Sequence, residues 1–294
     1  MSGSESRKVA DGPVDEALPV AHEGHRLSAE ALEEFESRGY TLLEDVFPPE
    51  LNERLRLRLD EYLKGVRPLR EHMGLQFQRR SGKKLARKRR FVRKLKHLEY
   101  DPLFWSLISD PRVVTPLVQI LGPDIKVFRA DVFYKAPKTG WSISPHQDAV
   151  YWPVAPIDDV FGTTCNFFYF LDDAGKENGG LGFLPGRHRE GPLPASRYDG
   201  DGPGERRLDS GCYSSREWTQ VSVSEGDAVI FHGMVPHFSG RNPSERFRRA
   251  LNISCWSARL RHTGFQPEIH GHADPDRPID ALRQLCGSSF SGHV

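Results

Sequence analysis

The sequence predicts a mainly β protein. Its core is an antiparallel double-stranded β-helix, a jelly-roll barrel of the cupin-like kind, with α-helices from the N-terminal part packed outside. Three observations carry this. Five segments rich in Phe, Val, Ile and Tyr (125–135, 163–171, 218–223, 228–231 and 247–256) read as strands, and all lie beyond residue 123. Helix signals are confined to the part before them, so the βαβ alternation of a parallel sheet is missing. Short turns such as Ser224-Glu225-Gly226-Asp227 join neighbouring strands, as an antiparallel barrel requires.

Each element follows from local chemistry. Residues 1–26 are polar and predict a disordered leader. Ser28 is a candidate N-cap for a helix ending at Gly39, and residues 40–43 read as a short strand. Pro48 and Pro49 open a second helix, in which Leu51, Leu55, Leu59 and Leu63 repeat every fourth residue on one face. Residues 102–121 hold one or two short helices, stopped by Gly122-Pro123. The expected organisation is a single domain over 27–262, with a helical part (27–123), a jelly-roll core (124–260) and a tail (263–294). Residues 187–216 are rich in Gly, Pro and charge, and are expected to form an inserted loop or lid.

Composition excludes several classes. With 294 residues, 37% hydrophobic and 28% charged, the chain can bury a sizeable core, and no stretch is apolar enough to span a membrane. The N-terminus lacks the apolar core of a secretion signal, and Cys165, Cys212, Cys255 and Cys286 form no disulfide framework, which together predict a cytoplasmic protein. The net charge of +1 hides an asymmetry: eleven cations and no acid lie between Arg79 and Lys96, so the remainder carries −10. That segment reads as a solvated face, as a site for an anionic substrate, or as a nucleic-acid contact. Only Phe91 interrupts its cations, and so few stacking residues argue against single-stranded nucleic acid.

The chemistry lies in two stretches. His146 and Asp148 stand at i and i+2, which on extended backbone share a face. With a distant second histidine they would make the two-histidine, one-carboxylate triad of non-haem Fe(II) oxygenases. Downstream, His237 precedes Arg248 by eleven residues across a turn, so an antiparallel return would bring a guanidinium beside that histidine to hold a carboxylate. Arg246 shares Arg248's face and competes for that role, whereas Arg249 points the other way. His232 falls on the opposite face from His237, and a second cluster, His270, His272 and Asp274, reads as solvated tail.

PHQDAVYW (145–152), ENGGLGFLPGRH (177–188) and GDAVIFHGMVPHFSGRNPSERFRR (226–249), in that order, resemble the phytanoyl-CoA dioxygenase family of Fe(II)/2-oxoglutarate oxygenases, over residues 28–258. The resemblance implies His146, Asp148 and His237 as iron ligands, with Fe(II), 2-oxoglutarate and O₂ as cofactor and cosubstrates. It implies Arg248, assisted by Ser239, as the anchor of the distal carboxylate of 2-oxoglutarate. It further implies Lys94 near the same cosubstrate (Lys96 is the near alternative), with Phe168 or Asn166 and also Asp131 along its pocket. Related halogenases carry Ala or Gly where Asp148 stands, so hydroxylation of a small molecule is expected; cyclisation, desaturation or epoxidation, and a silent binding barrel, stay open. Trp141, Tyr151 and Trp152 flank the motif and either line a substrate pocket or fill core. Oligomeric state is not legible.

Overall fold

The computed structural model describes residues 25–80, 83–84, 91–139, 141–151, 164–198, 205–257 and 268–269. The leader up to residue 24, most of the tail with its His270–Asp274 cluster, and Trp152 lie outside the described residues.

Helix α1 (Ala29–Arg38) begins at Ser28, whose hydroxyl accepts the Ala31 N–H at 3.2 Å, and ends at Gly39 with φ +85°. Helix α2 (Pro49–Lys64) buries Leu51, Leu55 and Leu59, each contributing about 1.5–3 kcal/mol of transfer free energy. The 102–121 segment splits into α3 (Pro102–Ile108) and α4 (Pro111–Leu121), capped by Asp101 and Asp110. Asp101 also takes Arg58 of α2 at 3.1 and 2.9 Å, so one buried carboxylate caps α3 and ties two helices together.

The strands are β1 (Tyr40–Leu43), β2 (Gly74–Phe77), β3 (Arg79–Arg80), β4 (Lys83–Lys84), β5 (Val92–Lys96), β6 (Ile125–Lys135), β7 (Ile143–His146), β8 (Thr164–Phe170), β9 (Leu181–Phe183), β10 (Ala195–Tyr198), β11 (Glu205–Leu208), β12 (Thr219–Gln220), β13 (Ala228–His232), β14 (His237–Ser239), β15 (Arg248–Ser257) and β16 (Glu268–Ile269). The major sheet runs β1-β13-β8-β15-β6-β5-β2, with β16 added to β6; the minor sheet runs β12-β9-β14-β7. Pairing is antiparallel in both sheets, so the expected double-stranded β-helix is the fold. The 218–223 segment shrinks to two ladder residues, because β12 is the edge of the small sheet and pairs only Phe183 and Gly182 of β9.

Period-two alternation assigns the faces of the major sheet. Phe167, Tyr169, Leu251 and Ile253 point outward into the helices. Phe133, Phe168, Phe170 and Ala250 point inward, towards Leu181 and Phe183 of the minor sheet. Within 187–216 the chain forms the β10–β11 hairpin, and Gln147 fastens its root: the amide donates to Gly191 O at 2.9 Å and accepts from Leu193 N at 2.8 Å. A residue between the two predicted ligands of one motif therefore anchors the insertion to the site.

Candidate active site

β7 and β14 are neighbours, and their register sets His146 opposite His237, with ring centres 4.3 Å apart. β7 ends at His146, so Asp148 reaches the same space from the 3-10 turn that follows, not from a continuing strand as the i, i+2 argument supposed. Its Oδ1 lies 3.1 Å from His146 Nε2 and its Oδ2 3.7 Å from His237 Nε2. One ligand atom from each residue falls within 4.8 Å of the others, and among the described residues this is the only such group of three.

The histidine tautomers follow from their partners. His146 Nδ1 lies 2.8 Å from Ser144 O, and His237 Nδ1 lies 3.1 Å from Val235 O. A carbonyl only accepts, so each Nδ1 carries a hydrogen and each Nε2 is turned towards Asp148. Burial first, and His146 next, pull the His237 pKa down to about 4, so this imidazole is neutral at neutral pH. Burial pushes the Asp148 carboxyl up, but His237, His146 and Lys94 outweigh it and hold it well below the usual carboxylate range. Two imidazole Nε2 atoms and a carboxylate thus converge on one point, a donor set that fits a divalent cation.

A polar chain on the inner face of the major sheet supports the carboxylate. Asn166 Nδ2 donates to Asp148 Oδ2 at 3.0 Å, Ser254 Oγ donates to Asn166 Oδ1 at 2.7 Å, and Asn252 lies behind Ser254 at 3.3 Å. Asn166 therefore touches the acid of the triad, while Phe168, two residues on, packs among Phe133, Phe170 and Phe231.

The other end of the same face is cationic. Arg248 is fully buried; its Nη2 donates to Gly179 O at 2.7 Å, while Nε and Nη1 have no acceptor among the described residues. Burial draws its pKa down to about 10, which still leaves it charged. Arg246 instead stays exposed, facing Asp173 and Glu177, and Arg249 pairs Asp172 at 2.6 Å, so of the three arginines Arg248 is the fully buried one. Ser239 is buried on β14 of the facing minor sheet. β14 pairs β7 and β9 while β15 pairs β6 and β8, so Arg248 does not lie beside His237 through an antiparallel return as the sequence suggested; the two belong to opposite walls of the barrel. The Trp141 Nε1 is buried without an acceptor in the same inner cluster, so this ring belongs to the Arg248 end of the barrel. Buried donors lacking acceptors are costly, and a carboxylate brought from outside would satisfy them.

Two cations of the basic segment turn inward. β5 bulges at Arg93, because Gln76 pairs Lys94 and Phe77 pairs Val92. Arg93 is 3% exposed, so a solvated face does not describe it. Lys94 lies 3.9 Å from Asp131 and 3.9 Å from the Phe133 ring centre, and burial lowers its pKa to about 8. Asp131 also pairs Arg129 at 3.1 Å and accepts the His97 N–H at 3.2 Å. Side chains at 79–90 and the Tyr151 side chain lie outside the described residues. His232 stands apart from the triad, its Nδ1 accepting the Met234 N–H at 2.9 Å. Sequence reasoning missed Lys135, fully buried at the end of β6; the signal was a lysine in phase with inward Asp131 and Phe133.

Residues 35–250 match the profile of the phytanoyl-CoA dioxygenase (PhyH) family. The chain belongs to the phytanoyl-CoA dioxygenase family. Phytanoyl-CoA dioxygenase domain-containing protein 1 of Mus musculus is 34% identical over 163 residues, 54% of each chain. This chain thus spans about half the length of that relative, whereas the Danio rerio protein of the same name aligns at 25% identity over 87% of this chain and 98% of its own. In fold, the chain is similar to EvdO2 from Micromonospora carbonacea var. aurantiaca complexed with 2-oxoglutarate: TM-score 0.58, 21% identity, 82% of this chain and 95% of that one. A phytanoyl-CoA dioxygenase-family site with this donor set uses Fe(II), 2-oxoglutarate and O₂. No helix among the described residues is long and apolar enough to cross a membrane.

Proposed function

We propose that this chain is a hydroxylase of a small molecule bearing an anionic group, with His146, Asp148 and His237 as its iron ligands and Arg248 and Ser239 as the anchor of 2-oxoglutarate. One observation carries the reading: the triad shares a barrel with a buried guanidinium that has donors and no acceptor. Bound iron and cosubstrate supply the oxidising equivalent that places one oxygen atom of O₂ in a C–H bond, while 2-oxoglutarate becomes succinate and CO₂.

The chain's own part is positional. The two Nδ1–H donors fix the imidazoles, so that His146, Asp148 and His237 would together hold the iron, which would supply the oxidising chemistry there. Asp148 fills the third protein position, which supports hydroxylation over halogenation. Phe168 and Phe133 add apolar rings to the inner face that also carries Arg248. Beyond the triad the ladder offers a second cation: Arg129 lies opposite Ser254, which reaches Asp148 through Asn166. Its Nε is held by Asp131. Beside it, Phe128 stacks on Trp256 at 4.9 Å, and Trp256 clusters with Met234 and with Ala149, the residue after Asp148. A carboxylate- or phosphate-bearing substrate with an apolar body suits that wall.

Anaerobic addition of Fe(II) and 2-oxoglutarate should give the weak visible charge-transfer band of the chelate. His237→Ala should abolish the band and His232→Ala should keep it. A folded protein without the band, or one forming no succinate under O₂, would overturn the reading and favour a silent binding barrel.

A further inference from the structure

Lys135 plays no part in the reading above. It closes β6 with its side chain fully buried, directly across the ladder from Arg248. Its ammonium donates to Ser239 Oγ at 2.9 Å and to the Gly240 carbonyl, and lies 4.6 Å from the centre of the Trp141 ring. Placing a second cation beside a buried guanidinium is unfavourable unless something negative is meant to join them.

The hydrogen-bond direction adds a constraint. An ammonium only donates, so Ser239 Oγ must accept from Lys135. The Ser239 hydroxyl hydrogen then points away from Lys135, and it finds no acceptor among the described residues, although Ser239 is buried. Arg248 Nε, Arg248 Nη1 and Trp141 Nε1 are likewise without acceptors. Around Lys135 the inner face therefore presents several donors and two cationic side chains, while Asp172, the carboxylate whose charge acts on Arg248, is ion-paired with Arg249.

We propose that Lys135 is a positioning and specificity-determining residue: it turns Ser239 into a donor and adds a second charge, so that the pocket selects a 2-oxo acid with a distal carboxylate over one without it. This rests on the assignment of Arg248 and Ser239 to 2-oxoglutarate.

The test is binding, not turnover. The full chain, loaded with Zn(II), is titrated with 2-oxoglutarate and with 2-oxopentanoate, which keeps the keto-acid end and replaces the distal carboxylate by a methyl group. Intrinsic tryptophan fluorescence reads the titration, Trp141 being beside the site. Lys135→Met should weaken 2-oxoglutarate about tenfold or more, the range for losing a charge-assisted hydrogen bond, and leave 2-oxopentanoate within about threefold. Lys135→Gln can keep both donated hydrogen bonds while losing the charge, so it serves if Lys135→Met does not fold, and it should also reduce the preference. Lys135→Arg should retain most of it. Equal weakening of both ligands marks a merely structural lysine and overturns the proposal, as does an unchanged preference in Lys135→Gln. If the wild-type chain, with metal bound, shows no preference for 2-oxoglutarate, the assignment of Arg248 fails and takes this inference with it. A wild-type preference that survives loss of Lys135 sinks this inference alone.

Discussion

Replacing Asn166 by alanine removes the one side-chain hydrogen bond that, among the described residues, reaches Asp148 from the major sheet. The Nδ2–Oδ2 distance is 3.0 Å and the acceptor is a carboxylate, so the bond contributes about 1.5–3 kcal/mol. The same change strips the Ser254 hydroxyl of its acceptor at 2.7 Å, and Asn252 Nδ2, which donates to Ser254 Oγ at 3.3 Å, does not replace it. At about 1.4 kcal/mol per decade, the loss is roughly 10–100-fold in affinity for a divalent ion, the usual effect of removing a partner behind a metal ligand. Competition for Zn(II) or Co(II) against a chromophoric chelator measures it. Titration of 2-oxoglutarate onto metal-saturated Asn166→Ala then separates support of Asp148 from the cosubstrate-pocket role that the resemblance implied. The reasoning expects cosubstrate affinity at saturating metal to stay within about threefold, because Asn166 acts through Asp148. Intact metal affinity with weakened 2-oxoglutarate would refute it and place Asn166 in the cosubstrate pocket.

Three more outcomes follow from the geometry. The pKa values of His237 and His232, held by burial at about 4 and about 3, lie below those of the unfolded chain, so between about pH 6.5 and 4 the unfolded state binds more protons. The metal-free protein should therefore lose stability on acidification by about 1.4 kcal/mol per pH unit for each histidine; urea midpoints at pH 7, 6 and 5 that do not fall would contradict the burial assigned to them. Gly39→Ala should cost about 2–4 kcal/mol, since φ is +85° and the new Cβ would stand 2.6 Å from His188 Nδ1, whereas Gly65→Ala, at φ +73° in open space, should cost only about 1 kcal/mol by thermal melts. For the substrate, Arg129→Gln should raise KM for an acidic substrate at least tenfold while leaving the iron–2-oxoglutarate band unchanged; an equal effect on the neutral amide of that substrate would remove Arg129 from recognition.

Much of the barrel was legible because its strands obey a period of two. The 125–135 strand falls where expected, and Ser28, Gly39 and Pro49 punctuate the helices as their backbone preferences demand. His146, Asp148, His237 and Arg248 could be named from motif order, since each sits at an element boundary marked by turn residues. The sequence could not say that Asp148 leaves the strand for a 3-10 turn, or that Asn166 rather than Phe168 would meet it. Those choices depend on which strand becomes a neighbour, and only the β13-β8-β15-β6 order brings Ser254 behind Asn166.

Chain order alone thus determined the strand grammar and the helix punctuation, because these depend on backbone preference and on residue types a few positions apart; the candidate metal ligands came from the resemblance of three ordered motifs to a family. Tertiary structure decided everything set by pairing between distant strands. It swung Arg93 inward through a bulge, placed Lys135 across from Arg248, and left two guanidinium nitrogens without an acceptor. The physical reason is burial: a lysine or arginine in a sequence reads as solvated, and only the closed barrel removes the water that would have made it so.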